Sequence, residues 1–202
     1  MSHARPALRR PEGRFALVLA FAAAAAVFVA IFLFGRANTP DYTATLFGQA
    51  DTDAVRFKAQ LATGVLGLAA LQLLLALWMY GRLPGVRRVP GPVPLTHRIV
   101  GVVLFVFTVP ITVHCIQAYG VQLNGSRVAV HSIAGCFFYG AFAAKVLLVR
   151  SRRLPGWALP LAGGALVVVV VVLWYTSALW YFNGNDVPLL LLGHHHLPPG
   201  QV

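Results

Sequence analysis

Acidic side chains are scarce. Five Asp and Glu stand among 202 residues, against sixteen Lys and Arg. None of the five lies inside the long apolar runs. Proton pumps and cation-coupled transporters usually carry an intramembrane carboxylate, so neither chemistry is expected. Cysteine is almost as rare. Cys115 and Cys136 both fall within apolar runs, at depths that differ by roughly 9 Å at about 1.5 Å per helical residue. That is a poor geometry for a disulfide, and both read as small buried residues. There is no phosphate-binding glycine loop, no CxxC pair and no Ser/His/Asp arrangement. A soluble-type active site has little to work with, and there is no soluble domain, internal repeat or low-complexity tract.

Apolar residues are abundant: 58% of the chain is hydrophobic and 10% charged. Runs near 20 residues long recur, which marks an integral membrane protein. The predicted fold class is all-α, a bundle of five transmembrane helices at about 15–35, 57–80, 96–119, 127–149 and 157–182. Residues 1–202 form one transmembrane domain with a tail at 183–202. The first run follows Arg5, Arg9, Arg10 and Arg14. It is too long for a signal-peptide core and lacks a small-x-small site after it, so it reads as a retained helix. The unbroken Val167–Val172 stretch would favour a strand in water. In lipid only helices and closed barrels satisfy the backbone, so it is assigned to the fifth helix.

Charge gives the direction. Twelve Lys and Arg lie in or beside the N-terminus and the second and fourth linkers. Four lie on the other side: Arg36, Arg56, Lys58 and Arg127. By the positive-inside rule the N-terminus is cytoplasmic and the C-terminal tail external. The net charge of +11 follows this pattern and does not indicate nucleic acid. The Ala/Val/Arg/Pro bias is that of a GC-rich bacterium, so the expected location is the bacterial cytoplasmic membrane.

Two histidines lie inside spans. Sixteen residues separate His114 and His131, and the loop 120–126 lies near their midpoint. A helical hairpin places both roughly 6–8 Å below the external helix ends. Ionisable groups at that depth are rare unless they serve a function. Two imidazoles at matched depth suggest a shared metal, most sharply an iron porphyrin held from both sides. Helices packed at about 8–10 Å leave little room for one. Ala134 and Gly135, one turn after His131, supply small neighbours, and Pro110 can kink the third helix on the His114 face. Arg127, four residues before His131, is placed to pair with a propionate. Its plainer reading is an interfacial arginine.

His97 begins the third helix, about 25 Å along the axis from His114. Met79 matches it in depth, so a His/Met-ligated second centre is conceivable, against an ordinary interfacial histidine beside Arg98. His194, His195 and His196 form a run able to bind a transition metal loosely.

The segment His131-Ser-Ile-Ala-Gly135 resembles the HSxxG helix start of cytochrome b561 proteins. Thr96-His97-Arg98-Ile-Val-Gly101, followed by His114, is similar to the HRxxG…H helix of ferric-reductase-like membrane cytochromes. The resemblance covers roughly residues 95–149. It implies a helical bundle with b-type haem, His114 and His131 as axial ligands, and His97 as a ligand of a second haem. The fourth histidine that such families use is absent. The expected function is a b-type cytochrome with one haem b, exchanging electrons between a quinol or cytoplasmic donor and an external redox partner. The alternatives are a cofactor-free helical subunit that anchors or scaffolds a larger complex, with the histidines in interhelical hydrogen bonds, and a copper or zinc site.

Overall fold

A computed structural model describes residues 12–85, 88–151 and 154–186. Five helices long and apolar enough to cross a membrane are present, and no strand occurs among the described residues. They are α1 (Glu12–Ala37), α2 (Asp51–Met79), α3 (Val93–Tyr119), α4 (Ser126–Arg150) and α5 (Ala158–Trp174). The fifth span continues through a π-helical segment, Tyr175–Leu179, into the short α6, Trp180–Phe182. The chain is a multi-pass helical membrane bundle, and its apolar outer faces meet lipid. The tail patch Pro188–Leu192 and the His194–His196 run lie outside the described residues.

Helices α1 and α3 begin three residues before the expected starts, and two further differences are larger. Helix α2 begins at Asp51, six residues before the apolar run, because Asp51 and Asp53 lie in its first turn. Carboxylates there complement the positive end of the helix dipole. The fifth span is also not one regular helix, since the π segment interrupts it.

The packing order differs as well. Helix α4 packs on α1 and α5, α2 packs on α5, and α3 packs on α2. Helices α3 and α4, joined by a short loop, make no close backbone packing; side chains bridge the gap between them. Val65, Ala69, Leu104, Ala134, Phe138, Ala141 and Val170 form the core of the four inner helices. Helix α1 closes on α4 where Gly140 meets the Ala24 carbonyl; a Cβ at Gly140 would sit 2.6 Å from that oxygen.

One end of the bundle carries the α1–α2 and α3–α4 loops, and we call it the loop side. These loops are stitched to each other. Val121 N–H donates to the Gly35 carbonyl at 2.9 Å, Asp41 N–H to Gln117 O at 2.9 Å, and Asn38 Nδ2 to Ile116 O at 2.8 Å. Gly120, at φ +66°, turns the chain out of α3 against the Gly35 carbonyl. The opposite end, with the α2–α3 and α4–α5 linkers, is the basic side.

Candidate functional site

His114 is buried near the C-terminal end of α3. Its Nε2 lies 3.1 Å from the Ala44 carbonyl in the α1–α2 loop. A carbonyl only accepts, so the proton sits on Nε2. The remaining nitrogen, Nδ1, is buried without a partner among the described residues. The ring therefore serves the loop that was stitched to α3.

His131 faces elsewhere. Its Nδ1 is 2.9 Å from Thr176 Oγ1, in the π segment of the fifth span. The Thr176 hydroxyl is already engaged as a donor to Val172 O at 2.8 Å. It must therefore accept from His131, which puts the imidazole proton on Nδ1 and leaves a lone pair on Nε2.

The π distortion also explains Arg127. In a regular helix the Thr176 carbonyl would accept from the Trp180 N–H, but here that N–H goes to Ser177 O. The freed carbonyl accepts from Arg127 Nη1 at 2.8 Å. The Arg127 guanidinium also lies over the Trp180 ring, 3.9 Å from its centroid. Arg127 thus clamps α4 to the end of the fifth span. Single π turns inside helices often mark functional positions.

Beside this clamp lies a cavity of about 140 Å³ between α3 and α4, in the half of the bundle toward the loop side. Its wall is mainly apolar. His131, Ser132, Thr112, Tyr139, Cys115 and Cys136 bring the polar and thiol groups to it, and Gly135 leaves room. Tyr139 donates to Thr112 Oγ1 at 2.8 Å, and Thr108 donates to Phe105 O at 2.7 Å. Trp174 also lines the cavity, held by a 3.0 Å bond from its Nε1 to Thr63 on α2. The two cysteines are free thiols.

The structure brings His131 and Gly135 to this cavity but not His114, His97 or Arg127. A haem shared by His114 and His131 would require the His114 Nε2 to leave Ala44 and the ring to turn toward the cavity. A volume of 140 Å³ matches one six-membered ring and is far below a porphyrin. The residues as they stand do not fit a bis-histidine haem. No group of three His, Cys, Asp or Glu arranged for a metal occurs among the described residues.

His97 sits toward the opposite, basic side. Its backbone carbonyl accepts from Gln72 Nε2 at 2.6 Å, and its ring Nδ1 is buried without a partner among the described residues. Met79 ends α2 with its side chain partly exposed.

Sequence reasoning missed Thr176, Tyr139, Thr112 and Trp174. Thr176 and Ser177 interrupt an otherwise apolar span, and Tyr139 with Thr108 and Thr112 places hydroxyls in the two runs that face each other. Polar residues within spans were the available signal.

The chain belongs to DUF6529, a family of unknown function whose model matches residues 17–189, and so reaches across all five spans. No curated protein and no solved structure matches it.

Proposed function

We propose that this protein is a membrane-embedded binding subunit that holds the ring of a lipophilic quinol or quinone in the cavity between α3 and α4. The cavity itself carries this reading: it is ring-sized, mainly apolar, and edged by hydrogen-bonding groups of both kinds. His131 offers the acceptor, because Thr176 fixes its proton on Nδ1. Thr112 offers a donor, since its oxygen accepts from Tyr139 and its own hydroxyl hydrogen stays available. A quinol hydroxyl and a ring oxygen across from it match such a pair. The isoprenoid tail leaves through the gap between α3 and α4, which the backbones do not close. On this reading, any electron-carrying role rests on the quinol and needs no haem.

Trp174 lines the cavity, so its fluorescence reports occupancy. Titrating the purified protein with a short-chain ubiquinone analogue should quench it saturably, and His131→Leu should weaken the affinity about tenfold, the equivalent of ~1.4 kcal/mol. Absence of saturable quenching would sink the proposal. A Soret band in the purified protein that His131→Leu abolishes would instead support the b-type cytochrome. A colourless, non-quenching protein would support the scaffold subunit.

A further inference from the structure

The five spans stand around the cavity as an incomplete ring. Backbone packing joins α1 to α4, α4 to α5, α5 to α2 and α2 to α3, and no such packing closes α3 onto α1. Both end helices nevertheless reach the cavity, α1 through Ile31 and α3 through Ile111, Thr112 and Cys115. The ring therefore has a seam between α1 and α3, and the cavity lies behind it.

The seam is fastened at its loop-side end. Asn38, just after α1, donates through Nδ2 to the Ile116 and Gln117 carbonyls of α3 at 2.8 and 3.3 Å. The Gly35 carbonyl accepts from Val121 N–H at 2.9 Å, and Arg36 Nη1 donates to Val121 O at 3.3 Å. The approach is close. A Cβ at Gly35 would collide with the Val121 side chain, and one at Gly120 would sit 2.9 Å from the Gly35 oxygen. Gly120 and Val121 also line the cavity at this end, and Val121 is buried. The clasp thus doubles as a roof between the cavity and the aqueous face.

One turn further into the membrane the clasp has ended. Ile31 precedes Gly35 by four residues and shares its face, and there that face lines the cavity. Toward the basic side the Phe105 and Phe142 rings stack at 4.1 Å between α3 and α4. The borders of the seam are apolar. Helix α1 carries no charged residue between Arg14 and Arg36, and residues 99–119 of α3 include no Asp, Glu, Lys or Arg. Val106 and Val113 of α3 are exposed on the outside of the bundle. A mid-span opening with such borders meets hydrocarbon and not water.

We propose that ligands enter the cavity sideways from the bilayer, through the seam between α1 and α3, with a hydrocarbon tail lying in the seam and the loop-side clasp excluding water. Ile31 stands at the mouth and sets its width. The class of ligand is therefore a lipid-soluble molecule with a small head and an apolar tail. This access route rests on the packing order of the helices and stands whether or not the head is a quinol.

Photolabelling of the full chain in phosphatidylcholine vesicles tests this. One probe is a fatty acid with a diazirine on its chain, and the other is a water-soluble diazirine amino acid present on both sides of the membrane. Peptide mass spectrometry should find the fatty-acid label at Thr112 and Cys115 as well as at Val106 and Val113, and the water-soluble label at none of the four. Ile31→Trp should narrow the seam and cut labelling of Thr112 and Cys115 about threefold or more, with Val113 unchanged. Ile31→Ala should raise it, and keeps the test decisive should the larger residue prevent folding, which circular dichroism reads. Fatty-acid label at Val106 and Val113 but not at Thr112 or Cys115 would mean a closed seam and overturn the proposal. Water-soluble label at Thr112 or Cys115 would show that the clasp is no seal, and overturn it as well. Labelling indifferent to both Ile31 variants would place the entrance elsewhere and overturn the seam. These readouts follow access and not quinone affinity, so failure here and failure of the quinol reading are separate results.

Discussion

His131 Nδ1 donates to a Thr176 hydroxyl that itself donates to Val172, so one threonine fixes both the tautomer and the orientation of the cavity imidazole. The same threonine's carbonyl, freed by the π segment, holds Arg127. Two side chains of α4 thus converge on one residue of the fifth span. That convergence makes the π segment the feature on which the cavity's chemistry depends.

Removing the hydroxyl should expose this dependence. Thr176→Val keeps the volume and leaves the His131 N–H without its acceptor. Hydrogen bonds between membrane helices are worth about 0.6 kcal/mol on average and up to about 1.7. Unfolding in mixed micelles should show a loss within that range, whereas affinity for a short-chain quinone should fall more, because the ring is then free to turn or change tautomer. Equal stability and equal quinone affinity would show that Thr176 does not position His131.

The contact between α1 and α4 gives a sharper stability test. At Gly140 a methyl would meet the backbone oxygen of Ala24 at 2.6 Å, and backbone cannot move aside cheaply. Gly140→Ala should cost on the order of 1–3 kcal/mol by overpacking. Gly164→Ala is the control, since nothing lies within 4 Å of its added Cβ. There, alanine's helix propensity should leave stability equal or slightly higher. Thermal unfolding of the two variants in one detergent decides it; a Gly140→Ala protein as stable as wild type would mean that α1 does not pack as described.

The five spans were legible because lipid imposes a single constraint: a long apolar run must be helical. The Val167–Val172 stretch shows its force, since strand propensity gave way. The site was legible only in part. Sequence placed His114 and His131 at the same end, and that held. It also assumed that helices joined by a short loop pack face to face, whereas α3 lies on α2 and α4 on α1 and α5. Ring direction depends on partners distant in sequence, such as Ala44 seventy residues from His114 and Thr176 forty-five from His131. No spacing rule within the hairpin reaches those partners. The π segment was invisible for a related reason, because it is set by tertiary contacts and has no periodicity of its own.

The loop that receives His114 carries its own acid-sensitive bond. Asp41 accepts from the Thr43 hydroxyl at 2.6 Å and from the Thr43 N–H at 3.0 Å. The side-chain bond first, and then the backbone bond, hold its carboxyl below the ordinary value of 3.8. A group whose folded value is lowered contributes stability above its unfolded value and loses it as pH falls through the folded one. Loop order should therefore be unchanged from neutral pH down to about 4 and fall below that. Amide exchange at Thr43 should quicken there in the wild type. In Asp41→Asn it should be independent of pH apart from the intrinsic exchange rate. The carboxyl is fully exposed, so the effect should stay local to the loop.

We propose that the arginines set the orientation, and with it the leaflet that the cavity faces. By sequence, twelve Lys and Arg lie in or beside the N-terminus and the α2–α3 and α4–α5 linkers, against four beside the other two loops. Five spans put the start of α1 and the end of the fifth span on opposite faces. By the positive-inside rule the N-terminus is expected in the cytoplasm and the His131 cavity toward the external leaflet. Reporter fusions test this directly. In a bacterial host, a periplasm-dependent phosphatase should be active at the C-terminus and inactive at the N-terminus, and a cytoplasm-dependent fluorescent protein should give the reverse. Moving charge should test the cause as well. Replacing Arg82 and Arg88 with Gln while adding two Lys to the 38–50 loop reverses the local balance around α2, from four (Arg82, Arg87, Arg88, Arg98) against three (Arg36, Arg56, Lys58) to two against five, and should yield a mixed population if charge sets the direction. A wild-type chain with its phosphatase active at the N-terminus would invert the assignment and place the His131 cavity toward the cytoplasmic leaflet.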